Sequence, residues 1–274
     1  MGSEMCIRDS FSSLNDKQEV AISQDGQKEA MEHAGRTGGL PFVGVGWYRT
    51  EFDVPQFQAG KRATILFDGA MSHANVYING QKVGYWPYGY NSFHFDITKY
   101  LKPGEKNTLA VRLENLPESS RWYPGAGLYR NVHLIITEDA YIPVWGTYIT
   151  TPSVNEKFAK VNVRTKVVLP EGADPAKYSV ETSVWNPNKQ KLTAVRPSLA
   201  QMKYNNNQAE QEFVIQAPSL WSPEMPALYS AETRLYEGDK LKDIYTTPFG
   251  IRSIEIIPDK GFFLNGKRTV FKGV

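Results

Sequence analysis

Ala74-Asn75-Val76-Tyr77-Ile78-Asn79-Gly80 is the stretch on which the fold turns. Ala, Val and Ile fall on one side of a period-two pattern, Asn and Tyr on the other, the mark of a half-buried β-strand. Asn79-Gly80 comes directly after, and both residue types tolerate the positive φ angles that a two-residue hairpin turn demands. Leu109-Ala110-Val111-Arg112-Leu113 repeats the alternation more cleanly. The same texture predicts strands at 47–54, 63–68, 92–97 and 131–137, with Pro103-Gly104 and Pro124-Gly125 marking turns or loops.

A second series begins near Tyr141. Val161, Val163, Thr165, Val167 and Leu169 share one face, with Asn162, Arg164 and Lys166 on the other. Strands are expected near 178–185, 192–199, 210–216, 228–236 and 242–248. About seven short strands in about 110 residues suit an immunoglobulin-like sandwich. Glu138-Asp139-Ala140 separates the two blocks. Residues 251–274 carry one more hairpin signal, Asn265-Gly266, between Phe262-Phe263-Leu264 and Thr269-Val270-Phe271. No helical pattern of about 12 residues occurs from residue 40 onward, so the chain reads as all-β.

The length of 274 residues fits about two domains. At 41% apolar and 22% charged residues, the composition is that of a soluble globular protein. The net charge of +2, with no basic run, offers nucleic acid or an anionic membrane no electrostatic attraction. The longest uncharged stretch, 140–155, contains two prolines and is too short and polar to span a bilayer. Cys6, the single cysteine, has no partner for an intrachain disulfide, which leaves the redox compartment and the localisation open. Residues 1–10, MGSEMCIRDS, have no apolar core of a secretory signal and read as foreign to the rest of the chain. Residues 11–39 read mainly as loop.

Common catalytic signatures are missing. His33, His73, His94 and His133 have no paired spacing and no cysteine partners, so no metal site is expected; His73 and His94 read as solvated strand histidines. Gly44-Val45-Gly46 runs into Trp47-Tyr48-Arg49, which continues as strand, so a bulge or close backbone approach replaces a phosphate loop there. The chain has no Gly-x-Ser-x-Gly elbow. The concentrated signal is aromatic: Trp86-Pro87-Tyr88-Gly89-Tyr90 and Arg121-Trp122-Tyr123-Pro124-Gly125, both between predicted strands. Rings on such loops either pack the loop bases or offer an apolar platform with polar tips to a sugar.

At these residues the sequence resembles the N-terminal half of glycoside hydrolase family 2, the β-galactosidase and β-glucuronidase family. LPFVGVGWYRTEFDVP (40–55), VYINGQKVGYWPYGYNSFHFDIT (76–98) and SRWYPGAGLYRNVHL (120–134) carry the resemblance, together with LWSPEMPALY (220–229), FGIRSIEIIPDKGFFLNGKR (249–268) and FKGV (271–274). It implies a jelly-roll, galactose-binding-like sandwich over 40–140 and an immunoglobulin-like sandwich over 141–250. Residues 251–274 would then be the first hairpin of an absent TIM barrel. Such a barrel takes about 250 residues, so the two glutamates of a retaining mechanism, about 5 Å apart, are expected beyond Val274 and no catalytic residue within the chain.

Carried over residue by residue, the resemblance implies substrate contacts from Trp86, Tyr88, Tyr90 and Asn91 on one loop and Arg121, Trp122 and Tyr123 on another. It implies no cofactor. The expected partners are a β-galactoside-type glycan and the catalytic barrel, with neither nucleic acid nor membrane, and self-association is left open. The Trp-Tyr-Pro-Gly-Ala-Gly loop looks more like β-galactosidases than glucuronidases. The alternatives are a stand-alone carbohydrate-binding module, or another specificity of the family such as β-glucuronidase or β-mannosidase.

Overall fold

The pleat of a β-strand sends successive side chains to opposite faces, so each alternating segment needs a second apolar surface to cover it. The computed structural model describes residues 44–56, 60–115, 126–201, 203–205 and 207–272. These residues are all-β apart from short 3₁₀ turns at Thr98–Tyr100 and Pro175–Lys177. The chain divides into two units, Met1–Ile136 and Thr137–Val274.

The described strands of the first unit are β1 (Gly44–Asp53), β2 (Arg62–Phe67), β3 (Ala74–Ile78), β4 (Gln81–Trp86), β5 (Phe93–Asp96), β6 (Lys106–Asn115) and β7 (Val132–Thr137). They form two sheets, in the orders β1-β6-β3-β4 and β5-β2-β7. One core lies between them, built from Tyr48, Val76, Ile78, Leu109, Val111 and Leu113 of the first sheet and Ile65, Phe67, Phe93 and Val132 of the second. The apolar positions picked out by alternation in β3 and β6 all point into it. Gly44-Val45-Gly46 lies in regular strand, paired residue for residue with Leu113–Asn115, so of the bulge or close backbone approach expected there the bulge does not occur.

The Asn79-Gly80 turn forms as anticipated, with φ of 50° and 80° and Ile78 opposite Gln81. What fixes it is a buried polar knot. Asn79 Nδ2 donates to Tyr100 O (2.9 Å) and Asn107 Oδ1 (2.8 Å), while Asn79 Oδ1 accepts from Thr108 N (3.0 Å). Asn107, 1% exposed, also accepts from Lys102 N and donates to the carbonyls of Lys102 and Glu105, each within 2.9 Å. A buried amide satisfied on both its oxygen and its nitrogen ties three turns to one end of the sandwich.

The second unit holds β8 (Thr147–Val154), β9 (Phe158–Lys166), β10 (Tyr178–Trp185), β11 (Lys191–Val195), β12 (Lys203–Asn205), β13 (Gln208–Gln216), β14 (Tyr229–Glu237) and β15 (Lys240–Phe249). Their sheets run β11-β10-β14-β15 and β12-β13-β9-β8. Sequence alternation does not reveal β8. It is an edge strand that holds Pro152 and shifts register between Thr150 and Ser153, which breaks the period-two pattern.

The core of this unit forms two apolar clusters, one around Val161, Val163, Phe213 and Tyr229, the other around Ile142, Val167, Val180 and Leu235. Polar side chains are buried here as well: Thr165, Thr182, Thr233 and Gln211. Thr182 Oγ1 donates to Gln211 Oε1 (2.5 Å), and Gln211 Nε2 donates to Val180 O (3.3 Å).

A small sheet completes the unit, β16 (Ile254–Ile257), β17 (Gly261–Leu264) and β18 (Lys267–Arg268). The sequence pattern places its return arm at Thr269–Phe271. The two-residue Asn265-Gly266 turn instead sets Lys267 directly opposite Leu264, so pairing starts two residues earlier. Asn265 also bonds Ser253 and the Trp221 carbonyl. Among the described residues no helix is long and apolar enough to cross a membrane.

Ion pairs pin the segment that enters the second unit. Lys242 Nζ, nearly buried, lies 2.9 Å from Asp139 Oδ1 and 3.4 Å from Glu237 Oε2. The Asp243 carboxylate accepts from the backbone N–H groups of Ile142 (2.8 Å) and Ile244 (2.9 Å). The hydrogen bond from Lys242 holds the Asp139 carboxyl below its usual range, whereas burial pushes Asp243 up.

Two outcomes are expected. Asn107→Ala should cost the first unit about 2–4 kcal/mol by orphaning buried partners, read from urea unfolding. For Asp139 the lowered folded pKa adds stability that is full above the unfolded value of about 4 and lost as pH falls through the folded one. The stability difference between wild type and Asp139→Asn should therefore hold steady near neutrality and close on acidification below about pH 4. A difference that widens toward low pH would overturn this role for Asp139.

Candidate functional site

At one end of the first sandwich, three connecting segments converge: 68–73, 87–92 and 126–131. The 87–92 segment joins β4 to β5 and carries the sequence-predicted rings. At its base Trp86 stacks on Phe93 (centroids 5.6 Å apart, 16° between planes), and Phe93 stacks on Phe67 at 4.8 Å. Trp86 thus roots the loop in the apolar core, and its buried Nε1–H meets no protein acceptor. Beyond it, Tyr88 and Tyr90 are 53% and 44% exposed, their rings 5.5 Å apart and inclined by 60°. Asn91 is exposed beside them. Arg121, Trp122 and Tyr123 lie outside the described residues.

Between the two tyrosines Gly89 is the anchor. Its carbonyl accepts a 2.7 Å hydrogen bond from Tyr129 Oη, and a Cβ on Gly89 would collide with the Met71 side chain and crowd its Cα. Tyr129 in turn lies against Gly69 so closely that a Cβ there would meet its ring. Met71 and Gly127 exchange backbone hydrogen bonds of 3.0 and 2.9 Å, and His73 N donates to Pro87 O. Ser92 Oγ donates to Asp68 O (3.1 Å), and His133 Nε2 lies 2.9 Å from Asp68 Oδ2. Among the described residues, both 68–73 and 126–131 therefore contribute tethers to the aromatic loop.

Tyr129, Met71, Asp68 and His133 are not singled out by the sequence pattern. Each lies far from the loop in the chain and acts through it; the only local hint is the glycine at position 89, flanked by rings. Among the described residues no group of three or more His, Cys, Asp or Glu is placed to hold a metal ion. Chemically the end offers exposed phenol rings with hydroxyl tips and a neighbouring amide. That combination sets apolar ring faces beside hydrogen-bond donors and acceptors.

Residues 40–138 match the family described as Glycosyl hydrolases family 2, sugar binding domain, and residues 141–252 match Glycosyl hydrolases family 2. Beta-galactosidase BoGH2A of Bacteroides ovatus is 40% identical over 242 residues, covering 88% of this chain and 28% of its own length. A beta-glucuronidase of Bacteroides fragilis is 34% identical over 244 residues, covering 84% of this chain and 34% of its own. The crystal structure of a family 2 member from Bacteroides cellulosilyticus superposes with a TM-score of 0.76 at 34% identity, over 85% of this chain and 32% of that one. The chain thus spans about a third or less of the length of these proteins.

Tyr129→Phe should remove the tether to Gly89 and little else. We expect a stability loss of about 1 kcal/mol and faster amide exchange confined to the loop. Unchanged exchange across 88–91 would show that the loop is held by something else.

Proposed function

The chain belongs to glycosyl hydrolase family 2, and from that premise we propose that it forms the non-catalytic N-terminal part of a retaining β-glycosidase, a β-galactosidase in the first instance. Its role in this reading is to support the active site and to shape one wall of the sugar pocket. The observation that carries it is the Tyr88–Tyr90 pair, presented on a loop fastened at Gly89 by Tyr129. Exposed rings held in place lose little conformational entropy when a sugar stacks on them. Asn91 would hydrogen-bond the sugar rim, Trp86 would buttress the loop from below, and Arg121, Trp122 and Tyr123 would complete the wall.

The two-carboxylate chemistry of a retaining glycosidase falls, in this proposal, to a part of the enzyme that this chain does not contain; the relatives, about three times as long, leave room for it. The 40% identity to a β-galactosidase is what puts a galactoside first in this proposal, a putative beta-glucuronidase of Formosa agariphila being 37% identical.

The pure 274-residue chain should release no nitrophenol from p-nitrophenyl β-galactoside above background; steady turnover would place the chemistry within it. In an NMR titration, methyl β-galactoside should perturb the Tyr88 and Tyr90 ring signals with millimolar or weaker affinity. Micromolar binding would favour a self-sufficient carbohydrate-binding module, and preference for methyl β-glucuronide would overturn the galactoside reading.

A further inference from the structure

The sheet β1-β6-β3-β4 buries one face in the core and turns the other outward, and the outward face is unlike an ordinary solvated sheet. The register aligns four side chains in one row across it: Trp47 opposite Arg112, Arg112 opposite Asn75, Asn75 opposite Tyr85. Trp47 is 57% exposed and Tyr85 46%. With strands about 4.8 Å apart, the backbone positions of Trp47 and Tyr85 stand about 14 Å from each other. Tyr77, in the next row, lies against the Trp47 indole at 5.5 Å, and His73 Nδ1 pairs with Tyr85 Oη at 2.6 Å.

The middle of the row is polar and internally neutral. Arg112 and Glu114 form a half-buried ion pair, and the guanidinium holds the Glu114 carboxyl below its usual range. Guanidinium carries five N–H donors, so this pairing leaves others available, and Asn75, whose amide nitrogen bonds His73 O, keeps its carbonyl oxygen as an acceptor.

We propose that this outer face is a second carbohydrate site, taking an extended neutral β-linked oligosaccharide along the Trp47–Arg112–Asn75–Tyr85 row. The span exceeds one sugar ring, so the site suits a short chain rather than a monosaccharide. An aromatic ring at each end stacks on a sugar face, and the donors and acceptors between them meet hydroxyls. The cancelled charge of Arg112 and Glu114 disfavours a strongly anionic polymer, and the interruption of apolar surface by that pair disfavours an obligate protein interface, whose centre is depleted in charge. The match of residues 40–138 to a sugar binding domain points the same way. The row includes no residue of the 87–92 loop, His73 being what joins the two through Pro87 O and Tyr85 Oη, and the proposal does not rest on the function proposed for that loop.

Isothermal titration of the 274-residue chain with a panel of neutral β-linked tetrasaccharides, from galactan, glucan, xylan and mannan, tests the proposal. At least one should bind, and saturating methyl β-galactoside should not displace it. Trp47→Ala and Tyr85→Ala should each weaken binding about tenfold, equivalent to about 1.4 kcal/mol, with unfolding midpoints close to wild type because both rings are exposed. Trp47→Phe should recover most of the loss. Failure of the whole panel to bind would overturn the proposal, as would displacement by methyl β-galactoside or indifference to both alanine variants. Self-association abolished by Trp47→Ala would overturn it too, and would make the face a protein interface.

Discussion

The alternation of a β-strand allows no half measures: once one face of β3 and β6 is committed to the core, the identity of everything on the other face is settled as well. Val76, Ile78, Leu109, Val111 and Leu113 cannot be buried without turning Asn75, Tyr77, Ala110, Arg112 and Glu114 outward. The first sandwich is organised by that constraint. It closes the core against β2, β5 and β7, and it assembles an aromatic and polar row on the opposite surface. The Asn79–Asn107 knot sets the register on which both faces depend, because a slip of one residue would exchange them.

The end of the sandwich shows a different economy. A loop cannot hold exposed rings still by itself, since its own residues supply few contacts. Here the loop 87–92 is rooted through the Trp86–Phe93–Phe67 stack and tied at Gly89 by a hydrogen bond from Tyr129, forty positions further along the chain. The glycine is needed for close approach to Met71 rather than for any unusual dihedral angle. Rigidity at the tips of Tyr88 and Tyr90 is thus imported from strands and neighbouring loops.

The second unit departs from a uniformly apolar core. Thr165, Thr182, Thr233 and Gln211 are buried together with Val and Leu side chains, and the Thr182–Gln211–Val180 chain of hydrogen bonds accounts for part of their polarity. Isolated hydroxyls cost stability when buried, so such groups narrow the ways two sheets can pack rather than simply adding to their adhesion. The Lys242 and Asp243 contacts act similarly on residues 139–142, fixing where the chain enters this unit.

By itself the sequence determined what depends on neighbours along the chain: the all-β class, the inward faces of β3, β6 and β9, the Asn79-Gly80 and Asn265-Gly266 turns, and the aromatic character of the 86–90 loop. Period two and turn chemistry are local, so one strand suffices to read them. Edge strand β8 stayed hidden because its bulge and proline erase the period, and the return arm after Gly266 was misplaced because pairing register is counted from the turn. Only the tertiary structure decided that Trp86 faces the core while Tyr88 and Tyr90 face outward, that Tyr129 and Met71 secure Gly89, and that Trp47, Arg112, Asn75 and Tyr85 stand in one row. These are relations between residues 10 to 65 positions apart, created by strand pairing and loop packing; no local pattern records which distant side chain will arrive opposite which.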